Sequence, residues 1–278
     1  MNAMDDLQNV RDILPTLSIL IAIVGIASNA LSLSYFVSVI KSNNRRRHGE
    51  NCVTKLFATL NVFDLLVSIS ASLTLITYLA ENWYCYHIFL RVMLISVNTT
   101  SYLTCLLATV RAIHLVFPLY AIEWKAVSIS VAACIVISAP LQFIAPIYSF
   151  PILVCLFMIV VLVNAASLVK LYLSQSFHTE TKDIKRRATI TVAIVSGIYC
   201  VLNIGFLVSF GASYEGFYYS LEIPRSFVFI TTIILLPLNS ACNPLVYLLR
   251  KEDMRSHVKS LWTRLGDCLC SIFSSGDM

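Results

Sequence analysis

Charged side chains are scarce in this sequence. Asp, Glu, Lys and Arg make up 13% of its 278 residues, whereas hydrophobic residues make up 58%. A soluble domain is closer to one quarter charged, so too few ionised groups are present to cover a surface that faces water. Glycine and proline number only eight each, which excludes a collagen-like or disordered chain. The class that remains is a polytopic membrane protein.

Clusters of metal-binding side chains are also lacking. The nine cysteines have no tight spacing, and those inside apolar runs are typical of small hydrophobic packing residues. The five histidines lie outside the centres of the apolar runs, so the converging histidines of a seven-span zinc hydrolase are missing. We therefore expect no catalytic residues, no enzyme activity and no transition-metal site.

Seven apolar runs follow one another along the chain. They are Leu14–Ile40, Leu56–Leu79, Ile88–Val110, Ala126–Phe143, Pro151–Leu173, Ala188–Phe210 and Phe227–Leu249. A span needs about 20 residues, and each backbone amide in lipid must be bonded within its own segment. The prediction is an all-α bundle of seven transmembrane helices over 14–249, with 1–13 as a short terminus before it. The boundary between the fourth and fifth runs is the least distinct.

Lysine and arginine collect in alternate segments. The segments 41–55, 111–125, 170–187 and 250–278 hold 17 of the 20 Lys and Arg residues. Basic residues accumulate on the cytoplasmic side of a membrane, so the amino terminus is predicted to lie outside and the carboxyl terminus inside. The run Arg45-Arg46-Arg47 fits a topogenic or lipid-facing cluster better than a nucleic-acid site, and we expect no nucleic-acid partner.

A few polar residues interrupt the apolar runs. The second run contains Asp64, the first contains Asn29, and the seventh contains Asn239 and Asn243 beside Pro244. Ionisable groups at membrane depth are costly and mark function by default. Pro244 frees one helical carbonyl, and the two asparagines, four residues apart on one helix face, are predicted to satisfy groups freed at that kink.

These residues carry a family resemblance that covers about residues 14–270. Asn243-Pro244-x-x-Tyr247 at the end of a seventh span, with Asp64 in the second and Asn29 in the first, resembles the rhodopsin-like (class A) G-protein-coupled receptors. The resemblance implies a mid-membrane cluster that holds a sodium ion and water. Its members would be Asn29, Asp64, Thr100, Asn239 and Asn243. The alternatives are a water-filled network without the ion, or a protonated Asp64. No other cofactor is expected.

The third span ends in a segment similar to the family's Asp-Arg-Tyr motif. Arg111 matches the arginine that meets the G protein, but Val110 replaces the acid and Ala112 the tyrosine. Asp183, before the sixth span, is the remaining acid that would restrain Arg111, and Tyr247 belongs to the same switch. Losing one of two restraints favours basal activity, since a resting pair stabilises only one state.

The sixth and third spans depart from the family in two further ways. Val201 and Asn203 stand where the family has tryptophan and proline, so we predict a sixth helix that is straighter than usual and opens near 185–187. The loop after the fourth span has no cysteine to pair with Cys85. Cys85 is therefore expected to be free.

The tail, 250–278, has the pattern of an amphipathic helix. Its apolar residues recur at steps of three and four: Met254, Val258, Leu261 and Leu265. Basic residues flank this stripe, which predicts an interfacial helix along the inner leaflet, as the family's eighth helix does. Cys268 and Cys270 follow as palmitoylation candidates, the alternative being reduced cytosolic thiols.

The ligand is not fixed by the motifs. Met93 stands where amine receptors carry an aspartate, and Pro237 where opsins carry the retinal lysine, which disfavours both classes. The candidate ligand rim is Trp83, Met93, Val97, Tyr218 and Glu222. The alternative for the aromatics at this level is an interfacial belt. The short amino terminus suits a small or lipid-like ligand or a short peptide.

The resemblance implies a multi-pass receptor of the plasma membrane that couples a ligand, or basal conformational change, to a heterotrimeric G protein. The competing classes are a non-signalling seven-helix scaffold and a transporter. A transporter would show paired repeats with broken helices, which the sequence does not contain.

Overall fold

The computed structural model describes residues 3–42, 48–117, 124–144, 146–173, 225–250 and 252–274, with 194, 197–198 and 201–202. Within these residues the secondary structure is helical and contains no strand. The helices are α1 (Ala3–Ser42), α2 (His48–Leu79), α3 (Trp83–Val116), α4 (Trp124–Ile144), α5 (Pro146–Leu173), α6 (Arg225–Arg250) and α7 (Glu252–Ser274).

Three stretches in α1, α2 and α3 are long and apolar enough to cross a membrane. They are Pro15–Ser42, Cys52–Leu79 and Trp83–His114. Each exceeds the roughly 20 residues that a helical span requires. Shorter apolar stretches lie in α4, α5 and α6, at Trp124–Ser138, Val154–Ser167 and Ile234–Leu248. The all-α class is therefore confirmed for the described residues, and three helices have the length and composition of membrane spans.

The predicted runs map onto these helices in order. The first five runs fall in α1 to α5, the seventh falls in α6, and the amphipathic tail falls in α7. The indistinct boundary between the fourth and fifth runs falls where α4 ends, at Ile144, and α5 begins, at Pro146. The sixth run, Ala188–Phe210, lies almost wholly outside the described residues, together with Asn203 and its predicted bend. The seven-helix bundle stays a prediction.

Packing centres on α2, which contacts α1, α3, α4 and α6. One apolar cluster joins Phe36, Phe57, Leu107, Val110 and Tyr247, with further members from α4 and α7. A second, smaller cluster lies farther along the same helices and includes Val67, Met93, Val97 and Leu236. Buried polar residues occupy the positions between these two clusters on α2, α3 and α6. The fold thus places a polar layer between two apolar ones.

A three-residue turn joins α2 to α3. The Asn82 amide donates to the Thr77 carbonyl (3.0 Å) and the Glu81 amide to the Tyr78 carbonyl (3.1 Å), the pair of bonds that defines a Schellman cap. Glu81 takes the left-handed position of this cap, with φ 55°, where glycine is usual. Asn82 then accepts from the Cys85 amide (3.2 Å) and caps α3. The turn therefore fixes α2 and α3 as neighbours.

α7 begins two residues after α6 ends and packs on α6 and α1. Its Met254 side chain is buried among the first apolar cluster. The Ser34 hydroxyl donates to the Leu31 carbonyl (2.8 Å), and its oxygen lies within hydrogen-bond distance of His257 Nε2 (3.3 Å). The Tyr35 and His257 rings meet edge to face at 5.7 Å. These contacts hold the start of α7 against α1.

Candidate functional site

The centre of the polar layer is the carboxyl group of Asp64, which is fully buried on α2. Asn243 Nδ2 donates to Asp64 Oδ2 at 3.0 Å, and the Ser240 hydroxyl donates to Asp64 Oδ1 at 3.3 Å. Both donors come from α6, three residues apart and so on one face of that helix. The Thr100 hydroxyl of α3 lies near the same carboxyl but forms no hydrogen bond with it. Three helices thus converge on one acidic group.

Asn29 supports this group from α1 through the backbone of α6. Its Nδ2 donates to the carbonyls of Gly25 (2.8 Å) and Ser240 (3.1 Å). The Ser240 carbonyl is the one that Pro244 leaves without an intrahelical donor, because proline has no N–H and this bond would run four residues back. Asn29 replaces that donor. The prediction that Asn239 and Asn243 bond the groups freed by Pro244 is therefore wrong for this carbonyl. Its donor is Asn29, and Asn243 donates to Asp64.

Several oxygen atoms in the layer are buried without a hydrogen-bond partner among the described residues. They are Asn29 Oδ1, Ser32 Oγ, Asn61 Oδ1, Thr100 Oγ1 and Asn239 Oδ1. Thr100 and Asn239 line a cavity of about 10 Å³ together with Ser101, Ser240, Val67 and Leu236. That volume is about enough for one water molecule. Unpaired buried acceptors are costly, so these oxygens could accept a further donor, such as a water molecule, or bind a cation.

The layer is closed on one side by a close helix contact at Gly25. A Cβ atom added to Gly25 would lie 2.6 Å from Ser68 Oγ and 3.5 Å from the Pro237 carbonyl oxygen. The Ser68 hydroxyl itself donates to the Asp64 carbonyl (3.0 Å). Glycine at this point lets α1 approach α2 and α6 closely enough for Asn29 to reach Ser240.

An aromatic cluster lies on the α7 side of the polar layer. The rings of Phe36 and Phe57 stack at 5.5 Å, and Tyr247 meets them edge to face at 6.1 and 4.7 Å. Tyr247 is buried here. Val110 belongs to the same apolar packing and is only 3% exposed. Val110, which the resemblance aligns with an acid, is thus a packed core residue.

The structure describes the other residues of the predicted switch only in part. Arg111 lies in the last turns of α3, and its side chain is outside the described residues, as is the whole of Asp183. Lys55 of α2 lies 4.8 Å from the ring of Trp124 at the start of α4, a cation–π contact that joins these helix ends. Cys268 and Cys270 fall within α7, but their side chains are not among those described.

The predicted ligand rim is not brought together in the described residues. Met93 and Val97 are buried in the second apolar cluster, and Val97 also lines the small cavity. Trp83 is 56% exposed at the start of α3, where its ring meets those of Tyr78 and Tyr86. Tyr218 and Glu222 lie outside the described residues. Cys85 forms no disulfide within the part of the chain that is described.

Sequence reasoning missed two members of the site. Ser240 was overlooked as a donor to Asp64, although its spacing of three residues from Asn243 places it on the same helix face. The close contact of Gly25 with Ser68 could not be predicted from the sequence, because a glycine in a helix does not show which residue packs against it. Asn239 lines the cavity beside Thr100 and does not bond Asp64.

The arrangement suits a proton or a small hard cation. Such cations prefer carboxylate, hydroxyl and amide oxygens, and these are the groups that surround Asp64. Among the described residues, no three His, Cys, Asp or Glu side chains come together as a transition-metal site requires. Neither a scan against protein-family models nor a search of curated proteins gives a match to this chain.

Proposed function

We propose that this chain is a divergent rhodopsin-like G-protein-coupled receptor, which couples a ligand or basal conformational change to a heterotrimeric G protein. The observation that carries the proposal is the contact of Asp64 with Asn243, made across 179 residues of chain. Together with Asn29 at the Ser240 carbonyl, it joins the three motif positions of the first, second and seventh spans. Polar and ionisable groups at membrane depth are costly and usually have a function, so a polar centre of this kind supports a functional role.

The proposed topology has seven spans in the plasma membrane, with the amino terminus outside and α7 along the inner leaflet. The skew of Lys and Arg supports it. The test uses cysteines placed at exposed positions in the first turn of α3 and in the tail, Tyr84→Cys and Lys259→Cys. An impermeant thiol reagent should label the first in intact cells and the second only after permeabilisation, with the parent chain as background. Labelling of both from one side would refute the topology.

The proposed output is G-protein activation through Arg111. We expect measurable basal activation in a panel of G-protein classes, and its loss in Arg111→Ala at equal surface expression. Signal in the parent chain that survives in the variant would remove Arg111 from the mechanism. Silence across every class would favour the alternative, a non-signalling seven-helix scaffold, which the replacement of the acid by Val110 supports. No observation favours the transporter class or an enzyme activity.

The resting restraint on Arg111 is proposed to be weak because Val110 carries no charge. An acid introduced at Val110 should lower basal activation, with Asp183 acting as the second restraint. Since Val110 is buried in the apolar cluster, any polar residue there also lowers stability. Val110→Asn is the matched control, of similar size and polarity without the charge. Equal basal activation in Val110→Asp and Val110→Asn, normalised to surface protein, would contradict the restraint.

A sodium ion is the proposed occupant of the polar layer, with Asp64 as its acidic ligand. The unpaired oxygens of Thr100 and Asn239 beside the small cavity support it. Replacing sodium by a large organic cation at constant ionic strength should lower the melting temperature of the parent chain but not of Asp64→Asn. The same response in both, or in neither, would leave a protonated or water-filled Asp64 network as the explanation.

The remaining assignments are proposals that follow from the same family. A small, lipid-like or short-peptide ligand would enter at the end of the bundle that carries Trp83. Palmitoylation at Cys268 and Cys270 would anchor α7, because two membrane signals bind far more stably than one. Loss of acyl labelling in Cys268→Ser/Cys270→Ser is the direct test of the second statement.

A further inference from the structure

An apolar groove of about 220 Å³ lies where α1, α6 and α7 meet. Its walls are Val24, Ala27 and Leu31 of α1, Leu245 of α6 and Val258 of α7. The one hydroxyl in the lining, that of Ser28, already donates to the Gly25 carbonyl at 3.2 Å. Water needs two to four polar partners in such a site, and the side chains of the lining offer only the Ser28 oxygen, so the groove suits hydrocarbon.

The groove is open toward the outside of the helix packing. Val24, Leu31 and Leu245 are each more than a third exposed although they line it. Val24 and Leu31 belong to Pro15–Ser42, a stretch long and apolar enough to cross a membrane. A cavity of about 150 Å³ binds benzene, so this larger groove has room for a segment of an acyl chain but not for a whole lipid.

Basic side chains stand next to the groove on α7. Met254 and Val258, four residues apart, face it, and Arg255 and Lys259 follow each of them by one residue. Arg255 is paired with Glu252 at 3.5 Å. Lys259 is exposed and has no ion pair among the described residues. Lysine and arginine at the membrane surface attract anionic headgroups by about 1 kcal/mol each. Because the acids Glu252 and Asp253 lie in the same turn of α7, the attraction for a lipid phosphate at the α7 end of the groove comes mainly from Lys259, and Arg255 is shared with Glu252.

We infer that this groove is a binding site for one phospholipid, whose acyl chain lies along α1 and α6 and whose phosphate is held by Lys259 and Arg255. The bound chain lies against Pro244 and Met254, which also line the groove. It therefore fills the junction of α6 and α7 beside Pro244. The inference does not depend on the proposed signalling function, because a lipid site stabilises a receptor and a scaffold alike.

The test measures thermal stability of the purified chain in detergent during lipid titration. Dioleoyl phosphatidylglycerol should raise the melting temperature by about 3–6 °C at about ten times its dissociation constant. Dioleoylglycerol, which has the same chains and no phosphate, should raise it by less than half as much. Equal shifts from the two lipids would overturn the phosphate contact and with it the proposal.

Matched substitutions locate the site. Ala27→Phe fills the groove and should abolish the shift, whereas Ala30→Phe, at an exposed position of α1 outside the groove, should keep it. Leu31→Trp is a second filling variant if Ala27→Phe does not fold. Lys259→Gln should reduce the response to phosphatidylglycerol to that seen with dioleoylglycerol. An unchanged shift in both filling variants would overturn the proposal.

A competing occupant is an acyl chain attached to this protein's own tail. One outcome is that the parent chain shows no shift in melting temperature with phosphatidylglycerol while Cys268→Ser/Cys270→Ser does show one. In that case the covalently attached chain fills the groove, and the proposal of a phospholipid is wrong. If both respond, the lipid of the bilayer is the occupant.

Discussion

The polar layer around Asp64 and the aromatic cluster around Phe57 lie next to each other on the same helices, yet they differ in how completely their side chains are paired. In the aromatic cluster, ring packs on ring and Tyr247 contacts both Phe36 and Phe57. In the polar layer, the carboxyl of Asp64 has two donors from α6, but neighbouring oxygens such as those of Thr100 and Asn239 have no hydrogen-bond partner among the described residues.

This difference separates a region that supplies stability from a region that can change state. A close-packed apolar cluster tolerates few alternative arrangements. A layer with unpaired buried acceptors gains free energy when a proton, a water or a cation arrives. We therefore expect substitutions in the aromatic cluster to lower the free energy of unfolding through lost packing. Substitutions in the polar layer should change it by an amount that depends on whether a specific partner residue is present.

The largest effect is expected from Phe57→Ala. Phe57 is buried and contacts two aromatic rings, so its truncation should lower the free energy of unfolding by about 3–5 kcal/mol. Phe117→Ala is the matched control, because Phe117 is exposed at the end of α3. Thermal unfolding in detergent or nanodiscs measures both. Equal losses in the two variants would mean that the aromatic cluster does not carry the stability.

The second effect concerns the wall of the polar layer. Gly25→Ala places a methyl group 2.6 Å from Ser68 Oγ and should lower stability by about 1–3 kcal/mol. Gly266→Ala, where nothing lies near the added atom, should instead raise it by up to about 1 kcal/mol. Adding Ser68→Ala to Gly25→Ala should recover most of the loss. A double variant as unstable as Gly25→Ala would show that Ser68 is not the obstacle.

A smaller effect tests the link between Asn29 and Pro244. Asn29→Ala removes the donor to the Ser240 carbonyl and should lower stability by about 1–3 kcal/mol. In a Pro244→Ala background the backbone N–H of residue 244 returns, so the same substitution should lower stability by about 1 kcal/mol less. Pro237→Ala returns a backbone N–H to a different carbonyl and is the control background. Additive effects with Pro244→Ala, measured by unfolding, would break the link.

The smallest effect on stability is expected from Glu81, which lies outside both the aromatic cluster and the polar layer. Glu81 is a non-glycine residue at φ 55° in the α2–α3 turn. Glu81→Gly should raise the melting temperature by about 2–4 °C, equivalent to about 1 kcal/mol, by removing left-handed strain. Glu81→Ala keeps that backbone strain and should leave the melting temperature nearly unchanged. A gain in the alanine variant as large as in the glycine variant would assign the effect to the side chain.

The sequence predicts the helices well where apolar runs are long, since a run such as Leu56–Leu79 has one favourable backbone state in lipid. It also predicts that Asp64 and Asn243 share a site. Pro244 indicates that one carbonyl of α6 lacks a helical donor, but the sequence does not predict that Asn29 is the donor, because residue identity does not show which helix packs against that carbonyl. Nor does it separate Met93 and Val97 from Trp83, since burial depends on which helix packs against each position. The predicted bend at Asn203 lies outside the described residues.

The chain order of the Asp64 contacts has a consequence for biosynthesis. The two donors to its carboxyl lie 176 and 179 residues later in the sequence, so the ribosome makes the acid long before it makes them. Until α6 emerges, the nascent α2–α3 hairpin holds a carboxyl that neither donor can reach. Because an uncompensated polar group is unfavourable in hydrocarbon, this hairpin is expected to stay at a water-accessible site of the insertion machinery until α6 arrives. Glycosylation-site or crosslinking reporters on α2, read as a function of nascent-chain length, would contradict this delay if α2 left the machinery before α6 was synthesised.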